Sequence, residues 1–261
     1  MKQPAGGSVT FELIDGVALI TLNRPERLNA LLPEMLATYV ELLYFADADP
    51  AVRCIVVTGA GRGFCSGADI SVLESDPEGL DKFLLQASPE RSPITAISLS
   101  KPVVAAVNGP TAGLGFVIAA SADLRFISSG ATLSTTFARL GLVAEYGIAW
   151  LLPRIIGPAN SADLLFSGRT ISADEAAIMG FGICADDALA AAMKWANEVA
   201  QNCAPSSLRV IKGQLLSEPR QDWASATQDS FRLMGKAFAG PDLEEALAAR
   251  QEKREPRFST P

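Results

Sequence analysis

The 261-residue chain contains no histidine. That absence removes Ser-His-Asp and Cys-His nucleophile systems and every histidine-containing zinc site. Proton transfer is left to carboxylates, tyrosine, lysine, cysteine or the backbone. Cysteine is scarce: Cys54, Cys65, Cys184 and Cys203 are the only four and show no CxxC spacing. No metal site is expected, and all four are read as reduced thiols. No apolar run reaches the roughly 18 residues that a membrane-spanning helix needs. The opening MKQPAGGSVTFELIDG carries no apolar or arginine-rich leader, and the closing RFSTP is no peroxisomal address. The expectation is a cytoplasmic protein with no membrane partner. Positive charge is also short: 22 Lys and Arg against 29 Asp and Glu leave a net charge of −7. That speaks against nucleic acid as a partner, while a few local arginines still suffice for a small anion.

Apolar residues are plentiful, at 49% of the chain, and their spacing sorts it into elements. VTFELIDGVALITLNRP alternates around Asp15-Gly16 and predicts a β-hairpin. LLPEMLATYVELLYFADAD has helical spacing, with Pro33 suited to a first turn. VRCIVVTGAG and KPVVAAVNGP are short β-branched runs that stop in glycine, as strands buried on both faces do. DLRFISSGATLST predicts a further strand region, with Asp123 anchoring its start. After Gly141 the pattern turns helical through YGIAWLLPRIIG, which places Tyr146 and Trp150 four apart on one helix, and NSADLLFSG. Ser172 and Glu175 form a capping-box pattern. Four helical stretches follow, DDALAAAMKWANEVAQ, PSSLRVIKGQLL, DWASATQDSFRLMGKAF and PDLEEALAARQEKR, and SDPEGLDKFLLQASPERSP reads as a polar insertion. The expected organisation is an α/β core over residues 1–200 and a helical oligomerisation segment over 201–261.

Chemistry is expected at two strand-to-loop junctions, VVTGAGRGFCSGADI and AAVNGPTAGLGFVIAA. Glycine lets backbone N–H groups turn inward without steric cost. Two such groups from separate loops make an oxyanion hole, and a helix N-terminus adds positive potential. Phosphate-loop alternatives fail: no Gly-Lys-Ser or Gly-Lys-Thr occurs, and Ile118 stands where GxGxxG needs its third glycine. Tight turns with close helix packing remain the alternative reading of these glycines.

NRPERLNAL, GRGFCSGADI, KPVVAAVNGPTAGLGFVIAASADLRF and GLVAEYGIAWLLPRIIG together resemble the enoyl-CoA hydratase/isomerase, or crotonase, superfamily. The resemblance runs from the first hairpin to the EKR-rich tail. It implies a crotonase-type ββα spiral core with C-terminal helices that pack in trimers or dimers of trimers. It also implies an acyl-CoA thioester ligand, with no cofactor beyond that coenzyme A moiety. The resemblance puts the oxyanion N–H donors at Cys65 and Leu114, beside Gly67 and Gly113. Ser66, Ala68, Asp69 and Ile70 fall on the segment that wraps adenine and pantetheine, and Arg27 and Asn29 fall near the pyrophosphate. Arg24 and Arg62 are further phosphate candidates. A nucleophilic Cys65 thiol is the rival reading of that loop, although no His or adjacent Lys is there to activate it.

A family hydratase carries two glutamates, and Val117 and Phe137 stand in their places here. One carboxylate remains, Glu145 in GLVAEYG, in a context similar to that of single-acid enoyl-CoA isomerases. Tyr146 stands where glycine is common, and would narrow the acyl tunnel or add a hydroxyl. Glu145 has two readings: sole acid–base for double-bond migration, or a cap for the helix that follows. Isomerisation is the expected reaction, with hydration, hydrolysis and bare acyl-CoA binding as rivals. The tail EKREPRF either reaches a neighbour's coenzyme A or ends in solvent.

Overall fold

A computed structural model of the chain describes residues 7–69, 71, 88, 91–217 and 220–258. Ile70 and nearly all of the polar stretch 75–93 lie outside the described residues. The hairpin forms where the alternation put it: β1 (Val9–Ile14) pairs antiparallel with β2 (Val17–Leu22). Asp15 and Gly16 take φ of 49° and 85°, the left-handed turn that favours such residues. Parallel pairing then runs from β2 to β3 (Cys54–Gly59), β4 (Val103–Val107), β6 (Leu124–Ser128) and β9 (Ile183–Ala185). A small second sheet joins β5 (Thr111–Ala112), β7 (Thr132–Ser134) and β8 (Thr170–Ser172).

Every residue of β3 and β4 is buried, which explains their unbroken apolar runs. On one face, Ile55, Val57, Ala105 and Val107 pack in a core that includes Met35, Leu36 and Tyr39 of helix α1 (Pro33–Ala48) and the apolar side chains of α2 (Leu114–Ser121). On the other face, Val56, Val104 and Ala106 meet Ala188, Ala192 and Ala196 of α5 (Ala188–Asn202). Alanine at every fourth position puts the smallest side chains on the sheet-facing side of α5.

Helix α3 (Ile148–Ser167) contains both expected helical stretches, with a break at Gly157, where φ is 78° and ψ 163°. It starts later than its spacing predicts. Gly147 is its N-cap and Tyr146 sits in the preceding turn, so Tyr146 and Trp150 do not share a helix. Trp150 packs instead under the Arg154 guanidinium, 3.8 Å from its ring centroid, with Arg220 at 5.1 Å. In α4 (Ala173–Ile178) the Ser172 hydroxyl accepts from Glu175 N–H at 3.2 Å. The Glu175 carboxylate goes to Arg169 instead of closing the box.

Among the described residues three helices close the chain: α6 (Pro205–Ser217), α7 (Trp223–Phe238) and α8 (Pro241–Glu252). Lys212 ties α6 to the core, donating to the Ala96 and Lys101 carbonyls and to Asp123 at 2.8–2.9 Å. Asp123 also accepts from Val103 N–H at 2.7 Å, the anchoring role its position predicted. The described part of the tail folds onto its own chain. Arg254 grips both oxygens of Glu245, and Arg53 donates to the Phe258 carbonyl. No helix of the described residues is long and apolar enough to cross a membrane.

Candidate active site

The two glycine-rich junctions lock into each other through backbone contact and two asparagines. A β-carbon on Gly115 would lie 2.2 Å from the Cys65 carbonyl oxygen, so only glycine lets α2 approach that loop. The Asn108 amide donates to the Gly59 and Gly61 carbonyls at 2.9 and 3.0 Å and accepts from Gly59 N–H. Asn29 is fully buried; it donates to the Ala60 and Gly63 carbonyls and accepts from Arg24 N–H. The expected role of its side chain in binding is therefore corrected: every polar atom of the Asn29 side chain holds the loop in shape.

Cys65 requires a second correction. It forms a parallel bridge with Thr111 in which its own N–H donates to the Pro110 carbonyl at 3.3 Å and its own carbonyl accepts from Ala112. That N–H is spent and the residue is fully buried, so it is no oxyanion donor. The thiol fares no better as a nucleophile, because burial pushes its pKa up to about 12. The next bridge has the opposite polarity. Leu31 pairs with Ala68, and the bonds are made by Gly67 O and Asp69 N on either side of it. Ala68's own N–H therefore faces away from Leu31.

Among the described residues, the N–H groups of Ala68 and Leu114 have no acceptor. Each follows a glycine with positive φ, Gly67 at 106° and Gly113 at 50°. A β-carbon on Gly67 would fall 3.7 Å from the Gly113 Cα, so the two free peptides lie side by side. Leu114 is the first residue of α2, where an N–H has no partner within the helix. All eight residues of α2 are buried. At its other end the buried Arg125 guanidinium donates to the Ala120, Ala122 and Phe181 carbonyls. A cation there complements the helix dipole whose positive end is at Leu114. Spacing gave no sign of Arg125's role, since a strand arginine ordinarily reads as exposed.

The polar rim sorts in the same way. Arg24 is committed to Asp69, at 3.0 Å, and to the Ala30 carbonyl. Asp69 also accepts from the Ser71 hydroxyl and N–H, which together with Arg24 hold its carboxyl below the usual range. The Ser66 hydroxyl donates to the Arg27 carbonyl. The side chains of Arg27 and Arg62 are exposed and unpaired among the described residues. No group of three or more Cys, Asp or Glu among the described residues is placed to hold a metal.

Beyond Gly113 the chain leads to the remaining acid. Gly113 N–H donates to Ser134 O, and Phe137 O accepts from Leu142 N–H. Glu145 follows, two residues before the Gly147 cap. Among the described residues its carboxylate accepts no N–H from the first turn of α3, so of the cap reading only the favourable position near the helix N-terminus stands. The carboxylate is half-buried with no hydrogen bond or ion pair among the described residues, and burial raises its pKa. Val117 and Phe137, at the two lost acid positions, are buried in the main core. If Cys65 serves only as packing, Cys65→Ala retains most activity; steady-state rates and slow alkylation of the native thiol check this.

The family model described as enoyl-CoA hydratase/isomerase matches residues 12–261. The 1,2-epoxyphenylacetyl-CoA isomerase of Escherichia coli is 35% identical over 256 residues, covering 94% of this chain and 95% of that protein. Among solved structures, an enoyl-CoA hydratase of Bacillus anthracis superposes with a TM-score of 0.91 at 26% identity, covering 98% of this chain and all of that one. One from a Polaromonas species gives 0.87 at 29%, covering 97% and 100%. The crotonase-type spiral expected from the sequence is the fold.

Proposed function

The chain belongs to the enoyl-CoA hydratase/isomerase family, and from that premise we propose that it moves the double bond of a 3-enoyl-CoA into conjugation with the thioester. Glu145 takes a proton from C2, and the electron pair delocalises into a dienolate whose charge rests on the thioester oxygen. The Ala68 and Leu114 N–H groups receive that oxygen, each donor contributing about 3 kcal/mol in a dry site. Protonated Glu145 then returns the proton at C4. One carboxylate serves both steps because it is needed first as base and then as acid.

One observation carries this reading. At both positions where a family hydratase keeps a glutamate there is a buried apolar side chain, while Glu145 is half-buried and unpartnered. The hydratase names among the similar structures favour a second reading, in which Glu145 orients water for addition to a 2-enoyl-CoA. Mass spectrometry of the products from 2-enoyl- and 3-enoyl-CoA separates the two. Conversion of 3-enoyl- to 2-enoyl-CoA without mass change supports isomerisation. Gain of one water from 2-enoyl-CoA as the main reaction refutes it, and no turnover of either leaves a binding protein.

The same family reading supports assembly into trimers or dimers of trimers through the segment 201–261. Helix α7 buries none of its residues, and Trp223, Phe231 and Phe238 are exposed. Burying such a ring stabilises by about 1.5–3 kcal/mol, and identical partners supply the cover in closed symmetry. Light scattering at micromolar concentration is expected to show a trimer or a multiple of it; a stable monomer contradicts this.

A further inference from the structure

Tyr146 occupies a backbone position that its side chain makes costly. Its φ is 50°, followed by Gly147 at 72°, and a residue with a β-carbon pays about 1–2 kcal/mol to sit there. Glycine pays none of it. Strain of this kind persists where surrounding structure enforces it, and it concentrates at ligand-contacting positions. The ring is half-buried and packs against the main core together with Ala144. The Glu145 charge and burial raise the phenol's pKa to about 12, burial being the larger cause. The phenol, on the residue that follows Glu145, stays neutral at physiological pH. Its hydroxyl makes no hydrogen bond among the described residues, so nothing polar in the described protein explains why a tyrosine is kept in this turn.

We propose that the Tyr146 ring is the wall that ends the acyl pocket beside Glu145, which makes Tyr146 a specificity-determining residue that restricts the site to short acyl chains. The inference rests on the reading of this site as the acyl-thioester site. Phe137 and Val117, at the two positions where acids are absent, belong to the same buried core that Tyr146 packs against. A glycine at 146 would leave a ring-sized space there and relax the turn.

The test is calorimetric titration of the whole protein with butanoyl-, octanoyl- and dodecanoyl-CoA, none of which can isomerise. Wild type is expected to bind butanoyl-CoA at least as tightly as dodecanoyl-CoA. Tyr146→Gly should shift that preference toward dodecanoyl-CoA by about tenfold or more, the effect of burying two further methylenes. A cooperative melting transition shows that the variant folds, since relief of the turn offsets part of the packing lost with the ring. Tyr146→Phe, which keeps the ring, should retain the wild-type profile. An unchanged profile in a well-folded Tyr146→Gly, or the same shift in Tyr146→Phe, overturns the inference while the thioester reading stands. Failure of wild type to bind any of the three overturns the thioester reading and this inference with it.

Discussion

Replacing Glu145 with glutamine is expected to lower turnover of 3-enoyl-CoA by about 10²–10⁴-fold, the usual scale for removing a general acid–base. Glutamine keeps the shape of the side chain and cannot accept and return a proton. Thioester affinity should barely change, because the proposed grip lies in the Ala68 and Leu114 loops. The pH dependence follows from the raised pKa of Glu145. The reaction starts with an ionised carboxylate, so the wild-type rate rises with pH through that raised value, with no falling limb from a second acid. Stability moves the opposite way. A carboxyl whose folded pKa lies above its unfolded one contributes fully below the unfolded value and loses that contribution as pH rises through the folded one. Glu145→Gln should therefore melt slightly higher than wild type at neutral pH and no higher in acid, a trade between stability and activity. A rate near wild type in a folded Glu145→Gln would remove the carboxylate from the chemistry.

Leu114→Pro should cost about 10²–10³-fold in turnover, the effect of deleting one oxyanion donor. Proline removes the N–H and nothing else polar. Leu114 is the first residue of α2, where proline's missing donor and fixed φ suit a helix, so the melting temperature reports whether the fold is kept. Leu114→Ala is the control: it trims a buried side chain, keeps the N–H and should keep most of the rate. Equal losses in both variants would mean that the Leu114 side chain matters and its N–H does not.

Much of the architecture was legible because burial imposes its period on the sequence. β3 and β4 are covered on both faces, and their runs are apolar without a break; the β1–β2 hairpin shows its alternation and its Asp-Gly turn. The loops were legible as loops and as a family likeness, but not residue by residue. In FCSGAD several consecutive N–H groups are candidates, and which is free depends on the partners of Cys65 and Ala68, Pro110 and Leu31. Both lie more than thirty residues away along the chain. Asn29 reads as a ligand residue by the same ambiguity; only its hydrogen bonds to the Ala60 and Gly63 carbonyls reveal a brace. Tyr146 has helical spacing to Trp150, and one left-handed glycine between them places it outside the helix. Glu145 stood out because Val117 and Phe137 stand at both hydratase acid positions, an absence the sequence states outright.

The most direct test of Glu145 as the one proton carrier is to follow a deuterium placed at C2 of a 3-enoyl-CoA through wild-type turnover in ordinary water. A single carboxylate that takes the proton and returns it should deliver measurable deuterium to C4 of the 2-enoyl product, and Glu145→Gln should form almost none of that product. Product carrying only solvent hydrogen at C4, formed at a comparable rate by Glu145→Gln, would contradict it.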